Sequence, residues 1–201
     1  MGDASEHYFA TEPTVASSPL TIDLHLPDAS FRLRTDRGVF AGDAVDPGTK
    51  TLLLEAAAPP ARGELVDLGC GYGPIALTLA SRSPGAHVWA VDVNARARDL
   101  CAENASANGL TNVTVAAPDD VPPDIAFAAL WSNPPVRIGK AALHALLQRW
   151  LARLDGGGAA WLVVHKHLGS DSLATWLTEQ GWVAHRRASR RGYRVLEVDA
   201  R

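Results

Sequence analysis

The chain has 201 residues, 47% of them hydrophobic and 20% charged, with a formal net charge of -3. That length fills one core with little left for a second, and that charge gives no whole-chain attraction to a nucleic acid. Cys70 and Cys101 fall in unrelated predicted contexts, which excludes a disulfide framework or a cysteine zinc site, and no apolar run is long enough to span a bilayer.

Residues 1 to 19 read as a polar loop. Met1-Gly2 opens like a myristoylation signal, but Glu6 stands where serine or threonine is wanted, so a membrane anchor is not expected and the cytoplasm is. From Leu20 to Leu26, apolar residues alternate with Thr21, Asp23 and His25. Pro27 to Ser30 turns the chain, and Phe31 and Leu33 alternate with Arg32 and Arg34. Period two on both sides of a turn predicts a hairpin over 20 to 34. Phe40, after a Gly-Val pair, reads as core more readily than as an exposed stacking ring. A helix is expected around Pro47 to Ala58. Residues 1 to 60 then form an extension packed on a core of residues 61 to 201, in one structural domain.

Glu64 to Leu68 reads as a buried strand and Pro74 to Ala80 as the helix after it, with Pro74 where a missing N–H costs least. Between them lies Gly69-Cys70-Gly71-Tyr72-Gly73, a turn poor in bulky side chains. A ligand can approach bare backbone there, at a helix N-terminus whose unpaired N–H groups favour a carboxylate or phosphate. Pro74 stands where a dinucleotide fingerprint needs glycine or alanine, and no lysine follows to make a phosphate loop. Ala86 to Asp92 reads as a second strand ending in an acid, and such an acid can accept both hydrogens of a ribose diol. Its competing reading is that Asp92 or Asn94 caps the next helix.

Beyond this unit, strands are expected near 112 to 116, 126 to 132 and 159 to 165, with helices between them. Gly156-Gly157-Gly158 reads as the stop of a helix carrying Leu143, Leu147 and Trp150, not as a phosphate loop. His165-Lys166-His167 leaves a strand with two imidazoles at metal-like spacing, but no third ligand is near in sequence, so no metal is expected. Trp182 to Ala184 and Tyr193 to Val198 read as a terminal strand pair. Arg186, Arg187, Arg190, Arg191 and Arg194 crowd it, and Arg32, Arg34 and Arg37 gather near the first hairpin. Either group suits phosphates, and a solvated face is the alternative.

Ser132-Asn133-Pro134-Pro135 carries the chemistry. Asn133 is extended because proline follows, and two prolines with fixed φ stiffen the segment and leave its carbonyls free. The Asn133 side-chain oxygen and the Pro134 main-chain oxygen can accept both hydrogens of an exocyclic amine and hold its nitrogen in line for attack. Two oxygens facing a nitrogen that gains positive charge stabilise the transition state more than the ground state.

Asp67-x-Gly69-x-Gly71-x-Gly73, Asp92 and Asn133-Pro134-Pro135 resemble the motifs of class I S-adenosylmethionine-dependent methyltransferases. More narrowly, Glu6 to Phe9, Asp36 to Phe40, Asp67 to Ile75, Asn133 to Lys140 and Gly192-Tyr193 resemble the guanine-N2 enzymes of the ribosomal RNA small-subunit methyltransferase C type. Long members of that family carry an additional N-terminal half, which this chain is too short to hold. The resemblance implies an α/β, Rossmann-like fold with a mostly parallel seven-stranded sheet, helices on both faces, and the hairpin as an extension. It implies S-adenosyl-L-methionine as cofactor, held by Asp67, Gly69, Cys70, Gly71, Gly73, Asp92, Val93 and Asn133, with Asp119 on the adenine amine. It also implies Asn133, Pro134 and Pro135 as catalytic residues, and ribosomal RNA or the small ribosomal subunit as partner, met by Phe40, Arg137, Lys140, Lys166, Arg190 and Arg191. Tyr8 or Phe9 offers a further stacking ring. Related adenine-N6 and protein-glutamine-N5 enzymes usually place an aromatic after the two prolines, where this chain has Val136. Those acceptors stay as the alternative, beside a cofactor-binding RNA-assembly module without turnover.

Overall fold

A computed structural model describes residues 15 to 41 and 43 to 200. Glu6, His7, Tyr8 and Phe9 lie outside the described residues. The alternation seen in the sequence becomes a two-stranded antiparallel sheet, β1 (Leu20–His25) and β2 (Ser30–Thr35). Leu24, Phe31 and Leu33 bury their side chains, while Arg32 and Arg34 stay in solvent. Helix α1 (Pro47–Glu55) starts at an Asp46 cap whose Oδ2 accepts the Thr49 N–H at 2.9 Å, with Pro47 in the first turn. Such a cap stabilises a helix by about 1 kcal/mol. The helix ends at Glu55, three residues before the expected Ala58.

The core then alternates: β3 (Gly63–Leu68), α2 (Pro74–Arg82), β4 (Ala86–Val91), α3 (Ala95–Ala107), β5 (Val113–Ala116), β6 (Phe127–Ser132), α4 (Lys140–Leu151), β7 (Leu154–His165), α5 (Ser170–Glu179), β8 (Val183–Arg190) and β9 (Tyr193–Asp199). The seven strands β3 to β9 form one sheet in the order β5-β4-β3-β6-β7-β9-β8. β3 to β7 pair in parallel, and β9 runs antiparallel to both β7 and β8. Two apolar clusters form the core. One joins the hairpin, α1, α2 and α3 to the sheet, and the other holds α4 and α5. The strand order reverses between β3 and β6, and at such a switch point the loops leaving the two strands diverge and open a crevice. Both ligand-like motifs leave those strands.

Three expectations need correction. Gly156, Gly157 and Gly158 do not stop a helix: α4 already ends at Leu151, and the glycines lie inside β7, which starts at Leu154 rather than near 159. A side chain at Gly158 would press on the Phe127 and Ala128 carbonyls of β6, each 3.0 Å from a built Cβ. β8 is also longer than expected and carries the arginines to position 190.

The hairpin is tied to the core by Asn104 of α3, 1% exposed. Its Oδ1 accepts the Arg34 N–H at 2.7 Å, and its Nδ2 donates to the Arg34 and Tyr72 carbonyls, both at 2.8 Å. Asn94 acts similarly. It caps α3 by accepting the Ala97 N–H and donates to the Gly38 carbonyl at 2.9 Å.

Candidate active site

The turn after β3 is built from backbone. Gly69, Gly71 and Gly73 all have positive φ, at 78°, 55° and 98°. A Cβ at Gly69 or Gly71 meets nothing within 4 Å, whereas one at Gly73 runs into Cys101 Sγ and Leu77 Cδ1, each at 2.8 Å. The first two glycines thus border open space and the third is needed for packing. Gly73 caps α2 without a side chain. Asp67 substitutes for it: fully buried, it accepts the Ala76 N–H through Oδ2 at 2.9 Å.

That burial is the main reason the Asp67 carboxyl is pushed up to about 8; the Ala76 N–H opposes the rise and the Asp92 charge adds to it. Asp67 Oδ1 has no partner among the described residues. Asp92, 8% exposed, takes the Gly71 N–H on Oδ2 and the Asn94 N–H on Oδ1, both at 2.9 Å. Desolvation raises its carboxyl too. Asp92 is therefore both a brace for the turn and a wall of the crevice, and each carboxylate oxygen keeps acceptor capacity. Asn94, not Asp92, caps the helix.

Beneath the turn the two cysteines meet, contrary to the expectation of unrelated contexts. The Cys101 contact, then burial, raises the Cys70 thiol well above its usual range.

A small cleft runs from the turn over β4, lined by Gly69, Asp92, Val93, Pro118, Asn133 and Leu146. Val93 is 43% exposed, an apolar side chain presented to a ligand. Asp119 is not brought here. It lies in solvent paired with Arg149 at 2.8 Å, and its neighbour Pro118 lines the cleft instead. A second recess is bordered by Gly69, Cys70, Gly71, Asp46, Thr49 and Asn133. Glycines facing open space, an orphaned buried carboxylate oxygen suited to a cationic partner, and a carboxylate beside an apolar shelf fit an adenosine and amino-acid ligand.

Asn133 borders both recesses and opens a third, a cavity of ≈ 330 Å³. β6 sets it in place, since the preceding Ser132 Oγ donates to the Leu68 carbonyl of β3 at 2.6 Å. Its Nδ2 donates to Asp46 Oδ2 at 2.9 Å and Thr49 Oγ1 at 3.1 Å. A carboxylate accepts only, so this pairing fixes the amide's orientation and leaves Asn133 Oδ1 for a ligand. Sequence patterns do not single out Asp46 and Thr49; the signal available is the Asp-Pro-x-Thr cap itself. The carbonyls after Asn133 are less free than expected. Pro134 O accepts the Val136 N–H at 2.8 Å and Pro135 O the Ile138 N–H at 3.1 Å, so Pro134 O offers its remaining lone pair.

The cavity wall also contains Phe40, Arg137, His165 and Tyr193. Phe40, expected in the core, is 39% exposed. Tyr193 stands edge-on to His165, with ring centroids 4.9 Å apart. His165 and His167 lie 5.3 Å apart, and no cluster of three metal-ligating side chains occurs among the described residues. Lys140 and Lys166 are exposed and line none of these three recesses. The C-terminal arginines are mostly neutralised: Arg186 and Arg194 pair with Asp171, Arg187 with Glu197, and Arg190 with Glu55. Arg191, exposed at the β8–β9 turn with φ 49°, carries no ion pair among the described residues.

Residues 30–197 match the family model "Methyltransferase small domain". The chain is 38% identical over 178 residues to Uncharacterized protein YbxB of Bacillus subtilis (strain 168), covering 87% of this chain and 89% of that one. It is 32% identical over 180 residues to Ribosomal RNA small subunit methyltransferase C of Shewanella amazonensis, covering 87% of this chain but 52% of that protein. Among solved structures, the T. thermophilus 16S rRNA N2 G1207 methyltransferase in complex with AdoMet and guanosine superposes with a TM-score of 0.77 at 25% identity, over 94% of this chain and 52% of that one. The chain thus spans about half the length of these methyltransferase relatives.

Proposed function

The chain belongs to the methyltransferase small-domain family, and from that premise we propose that it moves a methyl group from S-adenosyl-L-methionine to the N2 amine of a guanine in ribosomal RNA. The observation that carries the reading is the clamped amide of Asn133: its Nδ2 is held by Asp46 and Thr49, which leaves Oδ1 for a ligand, and the residue lines both the cavity and the adjoining glycine recess. When bound, the cofactor supplies an electrophilic methyl on a sulfonium, whose leaving group is a neutral thioether.

The chain's own task is then positional. Gly69 and Gly71 admit the ligand's amino-acid end, Asp92 and Val93 receive the nucleoside end, and Asp67 offers a buried acceptor to a cation. Asn133 Oδ1 and Pro134 O accept the two amine hydrogens, which turns the nitrogen lone pair out of conjugation with the ring and toward the methyl. As positive charge grows on that nitrogen, both oxygens hold it more strongly. No side chain with base character is required beside the amine, since the proton can leave to water afterwards. Phe40 and Tyr193 supply the ring faces that a flipped base needs once Val136 replaces an aromatic after the prolines.

The test is to supply radiolabelled cofactor with naked ribosomal RNA and with assembled small subunits. Label is expected in N2-methylguanosine after digestion, with rising salt suppressing transfer because phosphate contacts dock the RNA. Label in N6-methyladenosine or in a protein glutamine would replace this reading with an alternative acceptor, and label in none of these substrates would favour a non-catalytic module.

A further inference from the structure

The cavity presents one more acceptor than an amine needs. Asp46 Oδ2 is occupied twice, by the Thr49 N–H and by Asn133 Nδ2, both at 2.9 Å. Asp46 Oδ1 has no hydrogen bond among the described residues, and Asp46 borders both the glycine recess and the ≈ 330 Å³ cavity. Asp46 shares the cavity wall with Tyr193 and the recess with Tyr72, and both phenols are raised, first by burial and next by the Asp46 charge. The acceptor pair of Asn133 Oδ1 and Pro134 O is thus extended by a third oxygen on the same wall.

The candidate amines differ in what adjoins them. In guanine the amine-bearing carbon has two ring-nitrogen neighbours: N3 carries a lone pair, and N1 on the other side carries a hydrogen. In adenine and cytosine the corresponding ring nitrogen carries a lone pair, and in a glutamine side chain the neighbour is the carbonyl oxygen. A carboxylate oxygen beside the amine acceptors pairs with the first and repels the other three. Leaving a polar atom unpaired, or facing two lone pairs together, gives a specificity ratio of about tenfold or more.

We infer that Asp46 reads the acceptor base, with Oδ1 accepting the guanine N1–H while Oδ2 holds the Asn133 amide that receives the N2 hydrogens. The inference rests on the guanine-N2 reading and deepens it, since it makes one carboxylate both the orienting group for Asn133 and the filter against adenine. Helix α1 supplies the rigidity: the side chain that caps it cannot turn away without losing the cap.

The decisive substrate keeps the C2 amine and removes the N1 hydrogen. RNA is prepared with guanosine or 2-aminopurine riboside at the methylated position, and kcat/KM is measured for the wild-type protein and Asp46→Asn. Asparagine caps a helix as well as aspartate does, and it would use its oxygen for Thr49 and Asn133 while turning its NH2 to the base. The wild type is expected to favour guanosine by about tenfold or more. In Asp46→Asn that ratio should fall to about one or invert, with cofactor affinity by calorimetry and melting temperature nearly unchanged. Should the variant not fold, the wild-type ratio decides by itself: a value near one overturns the inference. An unaltered ratio in a folded variant overturns it too, while leaving guanine N2 as the acceptor. A wild-type protein that methylates adenine, glutamine or nothing removes the underlying reading, and the inference with it.

Discussion

The glycine recess and the amine cavity meet at Asn133 and are made in opposite ways. The floor of the recess is local: Asp67, Gly69, Gly71 and Gly73 lie within seven positions and Asp92 braces their backbone, while Asp46, Thr49 and Asn133 only border it. The cavity is assembled from far apart, with Phe40 and Asp46 from the N-terminal extension, Asn133 and Pro134 from the exit of β6, and His165 and Tyr193 from the last strands. A backbone-built site tolerates few side-chain changes without losing shape, whereas a side-chain-built site can change its substrate one residue at a time.

The largest effect that would sharpen this contrast is at Asn133. Asn133→Ala should lower the single-turnover rate of methyl transfer by about a hundredfold, or about 2.7 kcal/mol, with cofactor affinity nearly intact. A retained rate at saturating cofactor and RNA would break the assignment of Asn133 to the amine side.

The glycines should divide next. Gly73→Ala combines positive φ with contacts at 2.8 Å and should destabilise the fold by about 2–4 kcal/mol, read as a shifted urea midpoint. Gly71→Ala meets no atom within 4 Å and should cost only about 1 kcal/mol of stability, yet weaken the cofactor about tenfold or more in a calorimetric titration. Equal effects of the two on stability would show that Gly71 does not border open space.

The remaining effect is a pH dependence. The Asp67 carboxyl stands at about 8 in the folded protein against an ordinary 3.8, so between those values the folded chain holds a proton that the unfolded chain has released. Stability from this group therefore falls as pH rises through that window. A cation bound beside it favours the ionised form, so saturating cofactor should flatten the slope, and Asp67→Asn should remove its share. Urea midpoints from about pH 5 to 8, with and without cofactor, measure both.

What the sequence discloses follows the same division. Strand alternation, the glycine turn, the acid ending β4 and the stiff Asn-Pro-Pro exit are legible because each is set by neighbours a few positions away. Asp46 gives no signal because its local role, a helix cap, is ordinary; its functional role exists only once position 133 lies beside it. Phe40 misleads for a related reason, since a Gly-Val-Phe run carries no mark of whether a cavity will open next to it. The arginines of β8 look like a phosphate track, but Asp171, Glu197 and Glu55 reach them across the fold and cancel most of the charge. Gly156 to Gly158 resemble a helix stop because glycine favours both a cap and a close approach of two backbones, and it is the second that Gly158 serves.

The Asn104 clamp sets the order of synthesis against the order of completion. Arg34 leaves the ribosome 70 residues before the side chain that binds its N–H and carbonyl, and Tyr72 leaves 32 residues before it. During elongation the hairpin and the glycine turn are therefore made before the α3 side chain that joins them. A nascent chain paused before that helix holds both the hairpin and the glycine turn without the side chain that links them.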